Sequence, residues 1–191
     1  MKQSEYNDFL PQRHTIWVRG LALTGVGLLL TFFSLLKPDV YLLSGDNSWL
    51  PLIAIVIMIT GFMEGLDALL FRQRKEFYLN LQFAVFDTVF GLFFLTELNK
   101  TTDKIMLLAA AFLVIKGLFR LLGAYMVRFP NHISAIVGGA ISIFLGVLLW
   151  QEWPFKSLWF ICVALSLDLA TRGWALYRFG VWLKQLGSPK S

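Results

Sequence analysis

Eight ionisable residues interrupt stretches that are otherwise apolar enough to cross a bilayer: Glu64, Asp67, Asp87 and Asp168, with Arg19, Lys116, Arg120 and Arg172. A charge near the bilayer centre costs roughly 2.5–3.5 kcal/mol on insertion scales, so such groups are retained only where they pair, face a cavity or carry ions. Two chemistries suit them. A proton or ion relay would use the carboxylates, because intramembrane acids mark transport routes. A structural layer would use the balance of signs, with ion pairs fixing the register and angle of neighbouring helices. Glu64 and Asp67 stand i,i+3 on one helix face, and Lys116 and Arg120 stand i,i+4 on another. Asp168 and Arg172 are i,i+4 with the acid first, the favourable order for a local pair. The spacing therefore predicts that the second helix pairs with the fourth and the sixth closes on itself. Asp87 is left to Arg19 or a spare base. All eight fall in the half of the spans nearer the predicted cytoplasmic face, and no comparable polar path leads outward, which favours the structural layer.

The elements that must position these groups follow from hydropathy. The chain is 57% hydrophobic and only 15% charged, against about 25% charge in an ordinary soluble domain. Six runs approach the ~20 residues needed to cross a ~30 Å hydrocarbon core: Ile16–Leu36, Leu50–Phe71, Leu81–Leu98, Ile105–Val127, Ile133–Trp150 and Leu158–Tyr177. The first run lacks a small-residue cleavage pattern and reads as a retained helix. The expected fold is all-α, a polytopic membrane protein with six transmembrane helices as three consecutive helical hairpins. Residues 1–15 form a cytoplasmic N-terminal segment, 16–178 the transmembrane domain, and 179–191 a cytoplasmic interfacial tail.

Loop charges set the orientation. One face gathers Lys2, Arg13, Arg72, Arg74, Lys75, Arg128, Arg178, Lys184 and Lys190 against Glu5, Asp8 and Glu76. The other holds Lys37, Lys100, Lys104 and Lys156 against Asp39, Asp46, Glu97, Asp103 and Glu152. Positive loops stay inside, which predicts that both termini are cytoplasmic. Trp17, Trp174 and Trp182 at one set of ends, and Trp49, Trp150, Trp153 and Trp159 at the other, fit two aromatic belts.

A repeat runs through the helices. Gly20/Gly27, Ala84/Gly91 and Gly139/Gly146 are each seven residues apart, on the first, third and fifth helices. Gly61, Gly117 and Gly173 precede a basic end on the even ones. Small residues also suit close helix packing: Gly61 with Gly65 as a GxxxG, and Ser134, Gly138, Ser142 and Gly146 as a stripe at every fourth position.

Other chemistry is thinly supported. Cys162 is a lone cysteine in an apolar run, read as a packing residue. His14 and His132 lie at the cytoplasmic interface without metal-ligand spacing, and Asn99-Lys100-Thr101 abuts the membrane. The sequence holds no phosphate-binding loop, dinucleotide fingerprint or nucleophile elbow. No catalytic residue, cofactor or metal is assigned, and nucleic acid is not an expected partner. Membrane lipids are, and a homo-oligomer or a larger membrane complex stays open.

Arg19-Gly20-Leu21 followed by Gly25-Val26-Gly27 and Pro38, and Gly138-Gly139-Ala140-Ile141-Ser142-Ile143 followed by Gly146-Val147-Leu148-Leu149 and Pro154, resemble a glycine-spaced helix ending in an outer-face proline. That element recurs in the HdeD-like family of bacterial inner-membrane proteins with six spans, associated with acid resistance. The third helix departs from it, ending Thr96-Glu97-Leu98 without proline. The resemblance implies a non-enzymatic inner-membrane protein that supports acid or envelope stress tolerance. Two rivals remain: a small proton- or ion-coupled transporter or channel using the charged layer, and an accessory subunit of a larger membrane complex.

Overall fold

Apolar runs rich in Leu, Ile, Ala and Phe leave the backbone no partner in lipid but itself, so helices are the available solution. Among its described residues the computed structural model has six: α1 Arg13–Leu36, α2 Leu50–Leu70, α3 Phe77–Thr96, α4 Thr102–Val127, α5 His132–Trp150 and α6 Leu158–Leu186. It describes residues 13–37, 40, 48–70, 77–97, 101–127, 132–153 and 157–186. Most of the N-terminal segment, Pro38, Arg72–Glu76, Asn99, Arg128, Pro154 and the His132 side chain lie outside the described residues.

Local chemistry sets several helix ends. Thr101 caps α4, its carbonyl accepting from Lys104 and Ile105 N–H, with Asp103 in the first turn where the helix dipole favours an acid. Ser157 begins α6 in the same way. Pro51 sits in the first turn of α2, where its missing N–H costs nothing. At the end of α5, Trp153 N–H bonds Leu148 C=O and Glu152 N–H bonds Leu149 C=O. That is the pattern of a Schellman cap, with Glu152 at φ 54° in the position usually given to glycine.

Five of the helices are long and apolar enough to cross a membrane, and the apolar part of α3, Leu81–Thr96, is shorter. The protein is accordingly a multi-pass, all-α membrane protein. Large apolar side chains such as Phe32, Leu36, Phe62, Leu70, Phe144 and Trp150 are exposed, as a lipid-facing surface requires.

The tightest neighbours are α1 with α6, α2 with α3, and α4 with α5. These are not the helices of one repeat unit. The sequence repeats as α1–α2, α3–α4 and α5–α6, and each odd helix docks on the even helix of the preceding unit. α1 docks on the last, closing the repeats into a ring. The three interfaces use equivalent residues. A methyl group on Gly27 would come within 2.5 Å of Ala170 N, one on Gly91 within 2.8 Å of Met58 N, and one on Gly146 within 2.7 Å of Val114 Cγ2. Ala170, Met58 and Val114 each lie three residues before the even-helix glycine, Gly173, Gly61 and Gly117. Those glycines are just as confined, against Thr24, Thr88 and Ile143. Here glycine is needed for closeness of approach, because lipid supplies no hydrophobic drive between helices.

α6 is the longest helix and the common neighbour, touching α1, α2, α4 and α5. It continues past Tyr177 as far as Leu186, into the segment expected to be a separate interfacial tail, whose residues 187–191 lie outside the described residues. The reason is visible in its packing: Gly180 lies against Trp17, Leu183 is buried, and the Lys184 ammonium sits 3.6 Å from the centre of the Trp17 ring. The half of the core away from the ionisable residues is aliphatic and aromatic. Ile53, Ile57, Leu113, Ile161 and Leu165 surround Phe94 and Phe112, and the Phe90 and Phe112 rings are 5.0 Å apart.

Candidate functional site

The glycine contacts bring α2 onto α3 and α4 onto α5, and α6 then lies against both α2 and α4. That arrangement carries six of the eight charges into one layer. From α2 to α5 they form a chain of alternating sign. Glu64 pairs with Arg172, and Arg172 also pairs with Asp87. The other oxygen of Asp87 is 2.9 Å from Lys116 Nζ, and Lys116 is 3.0 Å from Asp168 Oδ2. Asp168 Oδ1 accepts from Arg120 Nη1 at 2.9 Å. Arg120 donates to the Ser142 hydroxyl at 3.2 Å, and Ser142 in turn hydrogen-bonds Asp168. Three acids meet three bases, so the ladder is neutral as a unit and ties five helices together.

Burial is deepest at its middle. Asp87 is 0% exposed, with Lys116 and Asp168 at 1% each. An isolated charge there would face the full cost of desolvation; each instead has two counter-charges, and Asp168 has the Ser142 hydroxyl besides. The Lys116 ammonium also lies 4.6 Å from the centre of the Phe112 ring, where the face of the ring attracts a cation.

The remaining two charges pair separately. Arg19 on α1 bonds Asp67 on α2, with side chains 33% and 46% exposed. This pair joins the sixth helix of the set, α1, to the others at the predicted cytoplasmic side.

The partners differ from those expected from spacing. α2 pairs with α6 and α1, not with α4. Asp168 does not close on Arg172 four residues along its own helix; it reaches Lys116 and Arg120 of α4, and Arg172 serves Glu64 and Asp87. The reason is orientation. Asp168 looks toward α4 and α5 while Arg172 looks toward α2 and α3, so residues one turn apart on a wide central helix serve different neighbours. Glu64 and Asp67 are likewise divided between two bases.

Of the small residues, Gly61 and Gly146 are in close intramolecular contact. Gly65 and Gly138 lie beside Ala84 and Thr171 at ordinary van der Waals distance, 3.6 and 3.7 Å from an added methyl. Ser134 and Ser142 are buried. Ser142 is the polar member that spacing did not assign to the charged layer; a lone hydroxyl amid the apolar middle of α5 was the available signal. Toward the other face, buried polar groups are sparse. Thr31 and Ser166 hydroxyls bond each other at 2.9 Å across α1 and α6, and Ser34 is buried one turn further on. Cys162 is buried in the apolar core. His14 lies edge-on to Trp17.

No family model, curated protein or solved structure matches the chain.

Proposed function

We propose that this is a non-enzymatic, HdeD-like integral membrane protein of the bacterial inner membrane, with both termini cytoplasmic. Its charged layer is a helix-register clamp, and its role is to support tolerance of acid or envelope stress. The observation that carries the clamp is the alternation of the ladder, in which every carboxylate is committed to a base on another helix. A relay needs a carboxylate that can exchange its proton with a connected path. Glu64, Asp87 and Asp168 are each held by cations, and beyond them the outer core is aliphatic and aromatic. The glycine-spaced odd helices and the repeat that they define support the family reading, and the Lys/Arg distribution supports the orientation.

The test is proton flux in liposomes that hold the purified protein, beside a Glu64→Gln variant whose folding has been verified. The clamp predicts no flux above protein-free liposomes in either, at acid or neutral pH. Flux in the parent that is lost in the folded variant makes the ladder a conduction site and promotes the transporter. The stress role is tested by survival of an acid challenge in cells with and without the expressed chain, where equal survival overturns it.

A further inference from the structure

The ring of repeats is not equally tight all round. α1 is packed along α6, and α6 also touches α2, yet α1 and α2 are not among the closely packed pairs. The two helices therefore stand on either side of α6 with a groove between them. Near the predicted outer face the groove is closed: Leu30 of α1 belongs to the core, and the Phe33 and Trp49 rings stack 5.5 Å apart. Near the cytoplasmic face, among the described residues, the Arg19–Asp67 pair is what spans it.

This pair is an odd one for a membrane span. A third of the Arg19 side chain and nearly half of that of Asp67 are exposed, so neither is sealed inside the protein. Asp67 lies one turn from the described end of α2, and Arg19 under two turns from the described start of α1, so both are at head-group depth. Glu64, a turn deeper on α2, is partly open on the same side, while its partner Arg172 is nearly buried. The last turn of α2 itself holds no basic residue; Arg72, Arg74 and Lys75 follow it in the sequence, outside the described residues.

The geometry points to a binding site for one phospholipid with a primary-ammonium, zwitterionic head group, an ethanolamine phosphodiester, in the cytoplasmic half of the α1–α2 groove. Its phosphate takes Arg19, whose planar fork suits a phosphate oxygen pair. Its ammonium donates to Asp67, with Glu64 as the neighbouring acceptor. One exposed ion pair is thereby replaced by two, without leaving a net charge in the groove. Exposed Leu21 of α1 and Met63 and Leu66 of α2 offer apolar surface near the same depth for the acyl chains. An anionic head group with no ammonium would take Arg19 and leave Asp67 without a cation. A choline head group is zwitterionic but has no N–H to donate, so it loses the hydrogen bonds to the carboxylates.

This inference rests on the membrane location of the protein; its two principal residues, Arg19 and Asp67, stand outside the ladder, and of the ladder only Glu64 borders the site. The full chain is placed in nanodiscs of phosphatidylethanolamine and phosphatidylglycerol, and in matched discs with phosphatidylcholine in place of the ethanolamine lipid. After release into mild detergent, retained lipids are counted by native mass spectrometry. One retained phosphatidylethanolamine is expected, with phosphatidylcholine and phosphatidylglycerol retained about tenfold less. Arg19→Gln and Asp67→Asn are each expected to reduce the retained ethanolamine lipid by about the same factor. Equal retention of the three lipids overturns the site, as does a preference for phosphatidylglycerol or undiminished retention in both folded variants. The comparison among lipids uses the unaltered protein, so it decides the matter even where a substitution prevents folding.

Discussion

The protein has two kinds of ion pair, and they sit in opposite surroundings. The Asp87–Lys116–Asp168 centre of the ladder is sealed among α3, α4 and α6, whereas Arg19–Asp67 bridges two helices that otherwise scarcely meet. The difference teaches what each can be for. In a sealed layer, a charge deprived of its partner has no water to turn to, so the layer enforces one arrangement of helices. At an open groove, a charge can exchange its partner for a lipid head group or interfacial water, so the pair is free to be a binding element. Sequence position alone does not separate them; the neighbours do.

The largest effect is expected where the seal is deepest. Lys116→Met removes the cation between Asp87 and Asp168 while keeping most of the side-chain volume. Two carboxylates are then left to share what Arg172 and Arg120 provide. Loss of one partner from a buried ion pair costs about 3–5 kcal/mol. The expected outcome is a sharp fall in folded yield or in thermal stability in detergent. A Lys116→Met protein as stable as the parent would sink the clamp, because the ladder would then fix nothing.

Helix contact gives a second, somewhat smaller test of the same sealing. Gly27→Leu drives a side chain into the Ala170 backbone and must separate α1 from α6, whereas Gly25, two residues earlier, has nothing within 4 Å of an added methyl. Overpacking a close contact costs about 1–3 kcal/mol, so Gly27→Leu is expected to lower the unfolding temperature clearly. Gly25→Leu, which replaces a poor helix former on an open face, should leave that temperature unchanged or raise it. Equal effects from the two would mean that α1 does not depend on its contact with α6.

The contrast between these glycines shows how far the sequence could be read. Six apolar runs of spanning length are legible because hydrocarbon thickness fixes their length, and the all-α fold follows from them. The seven-residue spacing of Gly20/Gly27 and Gly139/Gly146 was legible too, and so was the set of eight charges. What spacing along single helices does not encode is which helix each face meets. Asp168 and Arg172 look like a local pair in one dimension, and only the docking of α6 between α2 and α4 sends them apart. The useful clue lay in the repeat: Lys116 and Arg172 each directly precede an even-helix glycine. They therefore occupy equivalent places in two units and reach into the same central layer. The ring closure of α1 on α6 is the least legible feature: it uses the same glycine contacts as the other two interfaces, but it joins the first and last helices, which no short loop brings together.

The smallest stability effect is expected at the open pair, and its smallness is the point. Arg19→Gln removes the bridge between α1 and α2. Exposed pairs contribute about 0–1 kcal/mol even in water, where screening and side-chain entropy offset their attraction. Asp67 is not stranded by the change, because it lies a turn from the helix end, within reach of the interface. α1 also keeps its glycine contacts with α6 and the stacking of Phe33 on Trp49. The unfolding temperature of Arg19→Gln should thus stay close to that of the parent while that of Lys116→Met falls, both measured in the same detergent. If Arg19→Gln instead destabilises as strongly as Lys116→Met, the two ion-pair sites are one cooperative unit. The groove is then a closed seam, and the distinction between sealed and open charges fails at the place where it was drawn.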